Sequence, residues 1–116
     1  MKKKTNEWYR KKCVDIAKKK AKERDDYICQ KCLKKVEGAN AHGSHIYNEG
    51  RYRNLATDPR NILCLCYFCH INWWHKAPLE ASEWFNNKYP ELAEELRIKS
   101  QKIEKINFEE MYKNLK

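Results

Sequence analysis

Two cysteine pairs, Cys29-x-x-Cys32 and Cys66-x-x-Cys69, constrain this chain more than any other feature. A two-residue gap lets both sulfurs of a tight knuckle point at one ion. Two knuckles complete a tetrahedral thiolate site, with Zn–S bonds of about 2.3 Å. Residues 33–65 lie between the pairs, more than a minimal zinc ribbon carries, so an inserted hairpin is expected there. The alternative, a redox CxxC pair, belongs beside a βαβ pattern that this chain lacks. A metal also suits the length of 116 residues, because so small a core is marginal without a staple. Of the remaining cysteines, Cys13 falls on a helical stripe and Cys64 in a strand, where each reads as a small buried hydrophobe. Cys64 competes with Cys66 as a ligand, but Cys66 has the better spacing to Cys69.

The opening Met-Lys-Lys-Lys is not followed by the apolar stretch of a secretory signal, and no apolar run approaches the roughly 20 residues of a membrane span. A reducing compartment is expected, most simply a cytoplasm, where short-spaced cysteines bind metals and do not form disulfides. The net charge of +9 is unevenly spread. Residues 1–24 hold eleven Lys or Arg against Glu7, Asp15 and Glu23, a net of +8, and the remainder is close to neutral. Such a concentration suits a polyanion, because neutralising phosphates releases condensed counterions. A solvated lysine-rich helix face is the plainer alternative.

Trp8, Cys13, Ile16, Ala17 and Ala21 recur at helical spacing and predict a helix over about 7–24, capped by Thr5 or Asn6. Residues 27–77 then hold five of the six cysteines, all four histidines and all three glycines. They read as a cysteine knuckle, a strand near 41–47, a basic loop over 48–60, a strand near 61–65 and a helix over 67–75. Leu79, Trp84, Phe85 and Tyr89 suggest a short helix broken by Pro90. The spacing of Leu92, Leu96, Ile103 and Ile106 predicts another over 91–105, and Asn107 caps a last one. Three segments result: a basic helix (1–26), a metal-bearing core (27–77) and a helical extension (78–116), packed as one compact α+β domain. The extension, with balanced charge, reads as packing or a partner surface.

Ser44-His45-Ile46, then Asp58-Pro59-Arg60-Asn61, then Leu65-Cys66-x-x-Cys69-His70 form an ordered constellation. Here the chain resembles the HNH (ββα-metal) endonucleases, particularly the small phage-type enzymes with two CxxC pairs. The resemblance covers residues 27–77, and more loosely the Trp73-Trp74-His75-Lys76-x-Pro78 run. It implies a ββα-metal, treble-clef-like core around a structural zinc, and metal-dependent hydrolysis of DNA. His45 matches the general base that activates water, and a neutral imidazole can accept that proton. Asn61 matches the residue that orients the base and steadies the loop. His70 matches the helix-borne ligand of a catalytic divalent metal, Mg²⁺, Mn²⁺ or another.

Many members place Asp or His directly before the base as a further ligand. This chain has Ser44 there, a much poorer one, which leaves His75 and His42 as candidate substitutes. His75 follows His70 by five residues, whereas four would stack better on a regular helix. Arg51, Arg53 and Arg60 are candidates for a phosphate clamp, since guanidinium groups bind phosphate bidentately. Trp73 and Trp74 read as packing residues. DNA is the expected partner, with phage packaging or recombination proteins as further candidates and a bacterial host cytoplasm as the setting. Two other readings stay open: a non-catalytic zinc-binding module for DNA or RNA, and an accessory protein working through its helical tail.

Overall fold

The structure, a computed structural model, describes residues 3–115. Thr5 caps helix α1 (Asn6–Arg24), its hydroxyl oxygen accepting from the Trp8 amide at 3.1 Å. The helix buries Cys13, Val14, Ala17 and Ala21. This stripe is narrower than the periodicity suggests, since Trp8 and Ile16 are only half-buried. The small residues let α1 press onto a two-stranded antiparallel sheet, β1 (His42–His45) and β2 (Ile62–Leu65), in the register His42↔Leu65 to His45↔Ile62. A methyl group on Gly43 would lie 2.8 Å from Cγ of Lys18, so glycine is required where helix and strand meet. All four residues of β2 are buried, which is why this strand reads Ile-Leu-Cys-Leu without alternation.

Between the strands, the expected basic loop contains the short helix α2 (Arg53–Ala56) and a 3-10 turn over Pro59–Asn61, capped by Asp58. After β2 the chain enters a π-helix (Phe68–Trp74), then α3 (Pro78–Lys88) and α4 (Pro90–Ser100), each with proline in its first turn. Proline is pre-organised there, and the amide it lacks would have had no partner. Leu55, Leu63, Phe85 and Leu96 close a core between α2, β2, α3 and α4. No described helix is long and apolar enough to cross a membrane.

The helix expected over 91–105 stops at Ser100. Ile103 is 102% exposed, so the apolar period continues past the point where any surface remains to bury it. The chain instead turns back to set α5 (Phe108–Leu115) along α1. Asn107 caps α5 as expected, accepting from the Glu110 amide at 3.0 Å. Phe108 is fully buried, its amide bonded to Asn6 and its carbonyl accepting from the Cys13 thiol. Replacing Phe108 with alanine is expected to lower the unfolding free energy by about 3–5 kcal/mol, read by denaturant titration of zinc-loaded protein.

Candidate metal centre and histidine cleft

The first knuckle follows α1 through two residues in the left-handed region, Asp26 (φ 54°) and Tyr27 (φ 55°). The Cys29 amide donates to the Lys34 carbonyl and the Leu33 amide to the Cys29 carbonyl, so Cys29–Leu33 closes as a tight turn. The second knuckle opens the π-helix. In each, the amide of the second cysteine points at the sulfur of the first, Cys32 to Cys29 at 3.5 Å and Cys69 to Cys66 at 3.4 Å. All four sulfurs lie within 4.8 Å of one another, and Cys32 and Cys66 are 3.8 Å apart. A tetrahedron with bonds of about 2.3 Å has edges of about 3.8 Å, so the cage could hold a metal ion such as zinc.

Electrostatics within the cage point the same way. Burial pushes the Cys29 thiol up, but the backbone amides of Cys32, Cys66 and Lys31 outweigh it and bring it down to about 7. Burial, then the neighbouring cysteines, hold Cys69 far above its ordinary value, and Cys32 is raised as well. Four sulfurs at this range cannot all ionise without a cation among them. Cys64 and Cys13 stand outside the cage and are fully buried. Burial, followed by the Asp25 carboxylate, takes Cys64 to about 11, so it stays a thiol.

His45, His70 and His75 line one cleft of about 490 Å³, together with Lys18, Glu49, Ile46 and Trp74. His45 sits at the end of β1. A carbonyl can only accept, so the 2.8 Å contact from His45 Nε2 to the Ala56 carbonyl places the proton on Nε2 and the lone pair on Nδ1. The Glu49 carboxylate lies 3.5 Å from the same Nε2. Burial keeps His45 below its ordinary value; Ala56 and Glu49 pull it up, and Lys18 and Arg10 push it down. His70 is carried down to about 4, first by burial and then by the fields of His75, His42 and Lys18. Both imidazoles are therefore neutral near pH 7.

Asn61 is fully buried. Its side-chain oxygen accepts from the Tyr47 amide at 2.9 Å, and its nitrogen donates to the carbonyls of Tyr47 at 3.0 Å and Leu55 at 3.1 Å. The amide thus ties both ends of the 47–55 loop, and Ala56, the partner of His45, follows directly.

The five-residue gap between His70 and His75 has a local explanation. At about 100° per residue, five residues of regular helix set side chains about 140° apart. The π-helix bonds the His75 amide to the His70 carbonyl at 3.1 Å, and this wider winding returns both rings to one face. Their Nε2 atoms are 3.0 Å apart, and on its other side His70 Nδ1 meets His42 Nδ1 at 2.8 Å.

Other candidates lie away from the cleft. Ser44 is 1% exposed, and its hydroxyl has no partner among the described residues. None of the three arginines lines the cleft. Arg53 pairs with Glu7, Arg60 bridges Asp58 and Glu95, and Arg51 covers the Tyr52 ring. Trp73 and Trp74 pack against the cage cluster. Lys18 and Glu49 carried no signal in the sequence: one is among eleven bases of the N-terminal segment, the other in a loop read as basic. A smaller cavity of about 260 Å³ shares Ile46, Trp74 and Pro78 with the cleft but holds no histidine, carboxylate or cysteine.

Compared with protein-family models, with curated proteins and with solved structures, the chain finds no match in any of the three. The cage and the cleft stand on their own geometry.

Elemental analysis is expected to find one zinc per folded chain. Cys69→Ser should lose both the metal and the helical circular dichroism, while Cys64→Ala should keep both. Acidification should release the ion as the thiolates protonate. Folded protein without zinc would refute the assignment.

Proposed function

We propose that this chain is a divalent-metal-dependent DNA endonuclease of the HNH (ββα-metal) type. The observation that carries the reading is that His45, with its lone pair on Nδ1, lines one cleft with His70 and His75, whose Nε2 atoms are 3.0 Å apart. An antiparallel hairpin, a helix after it and a cage joining them support the ββα-metal assignment.

His45 takes a proton from water at Nδ1. The imidazolium that forms is stabilised by the Ala56 carbonyl and the Glu49 carboxylate at Nε2. Asn61 keeps that carbonyl in place by fixing the Leu55 end of the loop. His70 and His75 would hold the divalent ion, which when bound supplies charge stabilisation at the scissile phosphate. Two imidazole nitrogens 3.0 Å apart fit two donors to one ion. As imidazole donors they suit Co²⁺ or Ni²⁺ better than Mg²⁺.

Lys18 lines the cleft, and Lys11, Lys12, Lys19 and Lys20 are exposed on the same helix. The basic face of α1 therefore continues into the site, as a path for the phosphate backbone requires.

Plasmid cleavage should appear with Co²⁺, Ni²⁺ or Mn²⁺ and vanish with EDTA. His45→Ala should lose about 10²–10⁴-fold in rate while keeping fold, zinc and DNA affinity. The wild-type rate should survive acidification through the ordinary histidine value of about 6.5 and fall only below it, because burial lowers His45. Protein inert with every divalent metal would favour the non-catalytic binding module.

Replacing Lys11, Lys12, Lys19 and Lys20 with glutamine should weaken binding to all DNA sequences. It should also reduce the slope of log K against log salt by about 0.9 for each phosphate that is no longer neutralised. An unchanged slope would place the DNA elsewhere.

A further inference from the structure

The three linked imidazoles have one consistent set of protons. His42 Nε2 lies 3.0 Å from the Ala39 carbonyl, which can only accept, so His42 carries its proton on Nε2. A neutral His42 then offers a lone pair at Nδ1, where it meets His70 Nδ1 at 2.8 Å. His70 must donate there, which leaves its own lone pair on Nε2. That nitrogen lies 3.0 Å from His75 Nε2, which donates to it, and a cation bound there would send that proton to His75 Nδ1. A backbone carbonyl three residues before His42 thus decides which nitrogen of His70 is free. Free histidine favours the opposite form, with the proton on Nε2, so the arrangement has to be imposed.

We propose that His42 is a positioning residue that holds His70 as the Nδ1–H tautomer and thereby presents the His70 Nε2 lone pair to a divalent cation beside His75. His42 itself is not a ligand: both its nitrogens are engaged, and it is absent from the cleft lining. The carbonyl–imidazole–imidazole series extends one step further than the usual outer-shell partner of a ligating histidine. Such partners typically change metal affinity by about 10–100-fold. Tyr67 packs edge-on against the His42 ring at 5.7 Å, which helps keep that ring in the plane the series needs. The inference rests on the cleft being a metal site, but its first test does not need cleavage or a second metal.

Nitrogen-15 NMR of protein loaded with one equivalent of zinc, at pH 7.5, reports the tautomer of each histidine. Wild type is expected to show His70 protonated on Nδ1. His42→Ala should move that proton to Nε2, and His42→Gln, whose side-chain oxygen can accept from His70, should restore it. Co²⁺ titration by calorimetry should then show affinity about 10–100-fold weaker in the alanine variant and largely recovered with glutamine. Zinc content and circular dichroism check the fold, and the wild-type spectrum decides the point even if His42→Ala fails to fold. His70 found as the Nε2–H form in wild type overturns the proposal, as does an alanine variant with unchanged tautomer and Co²⁺ affinity. Correct tautomers and Co²⁺ binding without DNA cleavage would leave the role of His42 standing and refute only the nuclease reading.

Discussion

Four sulfurs within 4.8 Å join two turns, which the Gln30 amide also links by donating to the Cys64 carbonyl at 2.9 Å. One follows a basic helix with a single narrow buried stripe. The other opens a helix of unusual winding directly behind β2. Closing the cage fixes where the π-helix starts, and so fixes the direction in which His70, the residue after Cys69, leaves the backbone. The packing around the cage is modest. Val36, Ala41, Leu65 and three half-buried aromatic residues, Tyr27, Trp73 and Trp74, cover it.

Neutral imidazoles are the second constraint, and they follow from the first. His70 lies against the cage, among three other histidines and Lys18, where burial and positive neighbours disfavour a further charge. His45 reaches the same state by a different balance, with Glu49 partly offsetting burial. In the proposed reading, one group remains a donor of lone pairs and the other accepts a proton and is stabilised afterwards. The difference lies in the Glu49 carboxylate that raises His45, where the neighbours that act most on His70 are histidines and Lys18.

The cage was legible from spacing alone. The first helix cap was narrowed to Thr5 or Asn6, of which Thr5 is the one used. Both strands and the cap at Asn107 were legible from residue type. The helix end at Ser100 was not. Leu92, Leu96, Ile103 and Ile106 continue the period, and only the position of α1 makes burial of Phe108 more favourable than another turn. The candidate residues His45, Asn61 and His70 could be named from their order along the chain, but their supports could not. Lys18 is one lysine among many until Gly43 brings it to the cleft. The partners of Arg53 and Arg60, namely Glu7 and Glu95, are 46 and 35 residues away, beyond any local pattern. The relation between His70 and His75 was misleading by its spacing, because a regular helix was the wrong ruler.

The side chain of Asn61 bonds both the amide and the carbonyl of Tyr47, as the backbone of a neighbouring strand would. One residue thus acts as an extra rung of the ladder, and the chain between that rung and Leu55 becomes a closed loop hung on a rigid frame. From within that loop Glu49 reaches His45 Nε2 at 3.5 Å, and Tyr52 packs against the core around Leu55 and Leu63. Because the rung fixes both ends of the loop, a change in its length is absorbed between them, and Glu49 is the residue through which such a change would reach His45.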